Sequence, residues 1–381
     1  MKYNYLILFL FYTLFGCEKP LTAEEYYLKG NSNFEQGEFE EAIENYNKAI
    51  ASNPNFKNAY LNRGLSKSKM KDENGAIVGF SNAIKIDSNY ALAYFHRGIV
   101  LGHLKEHENA SKNFEKALEK FNLQIEESDG FPEDFVYRGR TKLKLNDKIG
   151  SLEDFNIAIK IDSNYDEAYY QRGICKAKMD DRIGALSDYN KAIALNPNES
   201  MMYYNRGISR SKLNNNEGAI ADYTKAIEID PKNALAYSNR GYEKSLLNNE
   251  KGAIEDYNQA IDIMPENPIL YLNRGNSRSN DHDPRGAIDD YTKAIELNPK
   301  YADAYNSRGV EKVYMNYREE AIKDYTKAIE FDQNFGLAYW NRGNAKNDLG
   351  DSKNACLDWK KASELGIEEA LNAYSQNCSK H

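Results

Sequence analysis

The chain has 381 residues, of which 28% are charged and 41% hydrophobic, an ordinary balance for a soluble protein. Its formal net charge of −8 makes nucleic acid a poor candidate partner, because phosphates require a basic surface. Two counts are unusual, 29 Tyr and only 9 Pro, and a proposed fold has to explain the excess of tyrosine.

The first residues of the chain differ from the rest. An apolar run of 11 residues extends from Tyr5 to Phe15, with Lys2 before it. The run is shorter than the ~20 residues that a membrane-spanning helix needs, but it suits the apolar core of a secretory signal. Polar sequence begins directly after Cys17.

The residues around the end of this run, Leu14-Phe15-Gly16-Cys17, resemble the lipobox of bacterial lipoproteins. The resemblance implies a signal peptide over residues 1–16, lipid on the sulfur of Cys17, and a short linker over residues 17–22. The alternative is an ordinary signal peptide with a chance cysteine.

The remainder of the chain repeats with a period of 34 residues, broken once by a step of 41. Each of ten copies has a glycine, an aromatic residue four positions before it, a second aromatic sixteen after it, and an alanine nineteen after it. The glycines are Gly30, Gly64, Gly98, Gly139, Gly173, Gly207, Gly241, Gly275, Gly309 and Gly343. The two aromatic columns account for most of the tyrosine excess.

The spacing within one copy predicts two short helices. In copy six, Ala219, Ile220, Tyr223, Ala226 and Ile227 lie on one helical face. Small residues at fixed spacing beside large rings let two helices approach closely. Proline follows the second helix in several copies and marks its end.

These columns resemble the tetratricopeptide repeat, a helix–turn–helix unit of 34 residues. The resemblance covers residues 23 to about 369, with copies one to three in 23–124 and copies four to ten in 132–369. It implies an all-α fold, a right-handed superhelical solenoid of about ten repeats, in which the first helix of each repeat lines the concave face. It also implies a scaffold that docks peptides or proteins.

Two positions in the first helix carry cations where the family usually has apolar residues. Arginine precedes the glycine in copies two to ten, and lysine or arginine follows three residues after it in most copies. Copies four to ten also have aspartate fifteen residues after the glycine. We therefore expect each aspartate to lie between two cations. The alternative is that the arginines bind an acidic ligand.

The long step between copies three and four inserts seven residues, 125–131, which is two helical turns. We expect the insertion to lengthen the second helix of copy three. It is either a tolerated surface insertion or a wedge for a specific partner.

The C-terminal segment, residues 370–381, is expected to cap the array. An export signal implies an oxidising compartment, so a Cys356–Cys378 disulfide is predicted to hold this cap in place. Two unrelated thiols are the alternative, and Cys175 is expected to be a small core residue.

No catalytic motif is present, and we expect neither enzymatic activity nor a cofactor. His103 and His107 lie four residues apart, but no third metal ligand accompanies them, so no metal site is predicted.

The family resemblance implies that partner-binding residues lie three before, one after and four after each glycine, and the first two of these positions share a helical face. Part of this set can instead pack on the adjacent copy, above all the isoleucines. The predicted residues are Tyr27, Leu61, Phe95, Ile99, Tyr170, Ile174, Tyr204, Ile208, Tyr242, Leu272 and Trp340.

The sequence thus predicts a non-catalytic adaptor, exported and anchored to the cell envelope by its N-terminal lipid, that binds a peptide or partner helix in its groove. The alternative function is a structural assembly factor of the envelope that acts through many weak contacts.

Overall fold

A computed structural model describes residues 21–128 and 130–378, and this part of the chain contains twenty-one α-helices and no β-strand. The helices are α1 (Ala23–Glu35), α2 (Phe39–Ser52), α3 (Lys57–Lys69), α4 (Glu73–Ile86), α5 (Ala91–His103), α6 (His107–Ser128), α7 (Pro132–Lys144), α8 (Lys148–Ile161), α9 (Asp166–Lys178), α10 (Arg182–Leu195), α11 (Ser200–Lys212), α12 (Asn216–Ile229), α13 (Ala234–Leu246), α14 (Glu250–Ile263), α15 (Pro268–Asn280), α16 (Pro284–Leu297), α17 (Ala302–Tyr314), α18 (Arg318–Phe331), α19 (Gly336–Asp348), α20 (Ser352–Glu364) and α21 (Glu368–Asn377).

The helices form two compact units, divided after Ser163. The first contains α1–α8, which are four helix pairs. The second contains α9–α20, six further pairs, and the terminal helix α21. In each pair the odd-numbered helix, called helix A below, packs against the even-numbered helix B that follows it.

The turn between helices A and B has a left-handed residue in most copies. Asn214 has a φ of 57°, and asparagine tolerates this conformation better than most residues. Helix B then starts behind a capping side chain: the carboxamide oxygen of Asn215 accepts a hydrogen bond from the backbone N–H of Gly218. This turn reverses the chain within a few residues and sets the pair side by side.

Each helix pair closes around the glycine and the second aromatic column. A Cβ atom at Gly207 would lie 2.7 Å from Cε1 of Tyr223, which is closer than van der Waals contact allows. Glycine is therefore required for the ring to lie against helix A. Ala219 and Ala226 on the same helix B are fully buried and complete this contact.

Within each unit the A helices of successive copies also contact one another, as α9 contacts α11 and α13 contacts α15. The B helices of neighbouring copies make no contact of similar extent among the described residues. The A helices therefore form the tighter layer of each stack. The face of each A helix that is turned away from its helix B is called its outward face below.

Two elements depart from the regular pattern. Helix α6 has 22 residues, whereas helix B of every other copy has 13 or 14, so residues 125–128 of the insertion are helical. Helix α21 starts at Glu368, and the predicted boundary between the last repeat and the cap, after residue 369, lies inside it.

Candidate partner-binding face

The cations of helix A are paired within the fold, as predicted from the sequence. In copy six, Nη2 of Arg206 lies 2.6 Å from Oδ1 of Asp222, and Nη1 of Arg210 lies 2.9 Å from Oδ2. Asp222 is only 2% exposed. The same triad occurs at Asp154, Asp188, Asp256, Asp290, Asp324 and Asp358. We call this series the Arg–Asp–Lys ladder; in copies six and eight an arginine takes the lysine's place.

The arginine of each triad has further contacts. Nη1 of Arg206 donates a hydrogen bond to Oδ1 of Asn190 in the preceding copy, at 2.7 Å, and the guanidinium lies 5.4 Å from the ring centroid of Tyr203. The carboxylate and the carboxamide thus accept hydrogen bonds from the guanidinium, and the tyrosine ring covers one of its faces. The arginine column joins consecutive copies, and this arrangement argues against a site for an acidic ligand.

Four of the predicted partner-binding residues are buried in the helix stack: Leu61, Phe95, Tyr170 and Leu272. Phe95 is 0% exposed, and the hydroxyl of Tyr170 accepts a hydrogen bond of 2.7 Å from Nδ2 of Asn205 in the next copy. Their side chains fill space between copies, because the position three before the glycine faces the following helix A. In this structure they support the surface and are not available to a partner.

The other predicted residues are at least partly accessible. They are Tyr27, Ile99, Ile174, Tyr204, Ile208 and Trp340, which are half-buried, and Tyr242, which is 52% exposed. The hydroxyl of Tyr204 accepts a hydrogen bond from Asn239 at 3.3 Å, and Trp340 packs on Trp359 with 6.3 Å between ring centroids. These two rings therefore support neighbouring residues as well as reaching the surface.

An apolar column six positions before the glycine was missed in the sequence. Its members in the second unit, all exposed, are Met201, Leu235, Ile269 and Leu337. This position is seven residues from the one that follows the glycine, so the two lie on one helical face two turns apart. That spacing was the signal that could have identified the column.

Helix α13 has the longest apolar stretch on this face. Leu235, Tyr242 and Leu246 are spaced seven and four residues apart, and each is about half exposed, at 50%, 52% and 52%. We call these three residues the α13 stripe. Ile269 on the neighbouring helix α15 is equally exposed, so the apolar surface extends over two A helices. Exposed apolar side chains grouped on one helical face are typical of an interaction site.

The C-terminal cysteines are linked in the structure. Cys356 lies in α20 and Cys378 directly after α21; they form a disulfide whose Cα atoms are 5.7 Å apart. The bridge joins the terminal helix to the last repeat. Cys175 is buried in α9, and Cys17, the predicted lipidation site, lies outside the described residues.

Over residues 21–128 and 130–378, no helix combines the length and the apolar character that crossing a membrane requires. His, Cys, Asp and Glu side chains nowhere gather in threes to hold a metal ion in this described part of the chain.

The helix pairs and their inward glycine, alanine and tyrosine columns define an α-helical repeat protein. A family model described as TPR repeat matches residues 30–71, 209–245 and 247–279, and one described as tetratricopeptide repeat matches 91–119, 166–199 and 302–335. Together the matches cover more than half of the chain. The chain belongs to the tetratricopeptide repeat family, whose members are protein-interaction scaffolds and are in general non-enzymatic.

Two solved structures of tetratricopeptide repeat proteins agree on the fold. The C-terminal part of a TPR repeat-containing protein from Cytophaga hutchinsonii has a TM-score of 0.53 at 20% identity, covering 62% of this chain and 98% of its own. A tetratricopeptide repeat protein from Parabacteroides merdae has a TM-score of 0.50 at 18% identity, covering 64% and 97%. MamA is 28% identical over 43% of this chain and 96% of its own, with a TM-score of 0.40. No curated protein sequence matches the chain.

Proposed function

We propose that this protein is a non-catalytic adaptor of the bacterial cell envelope, anchored by lipid on Cys17, that captures a peptide or a helix of a partner protein on the outward face of its A helices. The observation that carries the proposal is the α13 stripe. Three large apolar side chains are half exposed on one helix of the second unit, and Ile269 on the next A helix is equally exposed.

The location of the stripe supports a binding role over a core role. The second aromatic column is already buried by the helix pair, so Leu235, Tyr242 and Leu246 are not needed to fill the interior. A partner that covered them would remove their apolar surface from water, which is favourable by about 25 cal/mol per Å². A tyrosine at the centre of such a contact supplies both apolar area and a hydroxyl.

The test is co-purification from detergent-solubilised membranes. An anchor residue at an interface contributes about 2 kcal/mol or more, so Tyr242→Ala should weaken binding of the native partner roughly thirtyfold. The matched control is Ile183→Ala, which removes a more exposed apolar side chain, 75% accessible, from helix B of copy five. The control should retain the partner.

Three outcomes separate the possibilities. One stoichiometric partner that is lost with Tyr242→Ala supports the adaptor. Many partners that respond to neither substitution favour the assembly factor. The anchor is tested separately by Cys17→Ala, which should release the protein from the membrane fraction, since lipid chains supply the attachment. If that variant still sediments with membranes, the lipoprotein assignment is wrong.

A further inference from the structure

Two glutamates interrupt a column of small residues inside the second unit. The position two after the glycine holds Ser, Val, Thr, Cys or Ala in eight copies, but Glu243 in copy seven and Glu311 in copy nine. Glu243 is 1% exposed and Glu311 is 7% exposed. A carboxylate removed from water in this way is costly unless a cation or several hydrogen bonds compensate it.

The fold supplies little compensation. In the described part of the chain no lysine or arginine lies at ion-pair distance from either carboxylate, and Oε2 of Glu243 has no hydrogen-bond partner. Glu311 accepts one hydrogen bond, from Oγ of Ser279 at 2.6 Å. This contrasts with the aspartates of the Arg–Asp–Lys ladder, each of which has two cations.

Glu311 also lines an open cavity of about 210 Å³ between α15 and α17. The other walls include the polar side chains of Asn276, Ser279, Asn280 and Ser307 and the ring of Tyr291, whose hydroxyl donates a 2.9 Å hydrogen bond to Oδ1 of Asn276. Val310, an exposed apolar residue of the A-helix face, stands beside them. Burial raises the pKa of Tyr291, and the negative charge of Glu311 in the next copy raises it further.

We propose that this cavity is a subsite for the ammonium or guanidinium group of a lysine or arginine side chain in the partner peptide, with Glu311 as its counter-charge. The inference rests on the proposed function, because the cavity is placed on the A-helix face of the same unit as the α13 stripe. Carboxylate, hydroxyl and carboxamide oxygens are the acceptors that these cationic groups require. One carboxylate among neutral groups suits a single charged side chain better than a divalent cation, which takes more oxygen ligands.

Glu243 repeats the same substitution in the copy preceding α15 in the stack. Glu243 is closed off from solvent. Burial raises the pKa of Tyr223, and the negative charge of Glu243 raises it further. Because the fold leaves this carboxylate without a counter-charge as well, copies seven and nine each carry a buried, uncompensated acid on helix A. A partner that combines apolar residues with a basic one matches both features.

The experiment selects a random peptide library displayed on phage against four proteins: wild type, Glu311→Gln, Glu311→Ser and Glu296→Gln. Glu311→Gln keeps the shape and an acceptor for Ser279, and Glu311→Ser installs the residue that Ser277 provides at the same position of copy eight. Glu296→Gln removes the same charge from an exposed site on α16 and is the control. Selected peptides are then measured against Tyr242→Ala.

Lysine or arginine should be enriched in peptides from wild type and from Glu296→Gln, and not in those from either Glu311 variant. A basic peptide should bind Glu311→Gln roughly thirtyfold more weakly than wild type, and replacing its basic residue by norleucine should remove that difference. Peptides that need Tyr242 but show equal basic content on all four proteins overturn the subsite while the proposed function stands. A library that yields no Tyr242-dependent peptide overturns both.

Discussion

Copies one to three and copies four to ten handle the same buried position differently. From copy four onward, the residue fifteen after the glycine is an aspartate between two cations. In copy one the corresponding pair is neutral, with Nδ2 of Asn45 donating to Oδ1 of Asn33 at 2.9 Å. In copy three Arg97 remains, and its Nε donates to Oδ1 of Asn113 at 2.8 Å.

Copy two has neither a carboxylate nor a carboxamide at this position. Gly79 replaces the aspartate, and Nε of Arg63 has no hydrogen-bond partner. Burial lowers the pKa of Arg63, and burial likewise lowers the pKa of Arg97. A Cβ atom at Gly79 would lie 2.9 Å from Cα of Gly64, so an aspartate cannot be added there without moving the backbone.

The three positions of a triad depend on one another. Copy three has Leu101 where the ladder has its second cation, and one cation is satisfied by a neutral carboxamide. Two cations on adjacent turns of one helix repel each other unless negative charge compensates them. The complete triad occurs in seven copies, and in copies one and three its aspartate and second cation are both replaced by neutral residues. Copy two lacks only the aspartate, and its second cation, Lys67, pairs instead with Asp72 at 3.1 Å.

We expect the greatest loss of stability when the aspartate of copy seven is replaced by the asparagine that copy three has at this position. Asp256→Asn leaves Arg240 and Lys244 facing each other across a neutral group and should lower the free energy of unfolding by about 1–3 kcal/mol. Adding Lys244→Leu completes the copy-three pattern and should restore part of the loss. Urea unfolding of the two variants measures both changes.

A double variant that is less stable than Asp256→Asn alone would contradict this interpretation of copy three. In that case leucine at this position fails for reasons of packing, and the residues of copy three are not a coordinated replacement. Glu228→Gln on the surface of α12 is the control, because its exposed ion pair with Lys225 should contribute little to stability.

A smaller effect is expected at the last copy, where the ladder and the disulfide share helix α20. Asp358 pairs with Arg342 and Lys346, while Cys356 in the same helix holds the terminal helix α21. Reduction should loosen α21 and leave the ion pairs in place. Thiol counting on denatured protein carrying Cys17→Ser, without reductant, should give one thiol per chain, from Cys175. A count of three would show that the bridge is absent.

The sequence predicted the repeat and the ladder because both are columns, in which ten aligned copies show what varies and what does not. It predicted less well which side chains of helix A are exposed. Phe95 and Tyr170 share the position three before the glycine with Tyr204, yet only Tyr204 is partly exposed, because the depth of each side chain depends on how the next A helix packs over it.

Leu235 and Ile269 were missed for a related reason. Their column starts helix A, where apolar residues are equally compatible with packing against the preceding helix B. Only the stacked structure shows that their side chains remain exposed. Glu243 and Glu311 were visible as departures from a column of small residues, but their burial and the cavity beside Glu311 depend on contacts between copies.

We interpret the arginine column as a set of residues that stabilise the fold, and we place partner binding on the outward apolar face of the A helices. A double-mutant cycle on Arg206 and Asp222 tests it most directly, with urea unfolding and partner binding measured on the same proteins. Asp222→Ala and Arg206→Ala should each destabilise the protein by about 1–3 kcal/mol, the double variant should lose less than the sum, and all folded variants should retain the partner. Strictly additive losses of stability, or loss of the partner with Arg206→Ala in a protein that remains folded, would contradict the account.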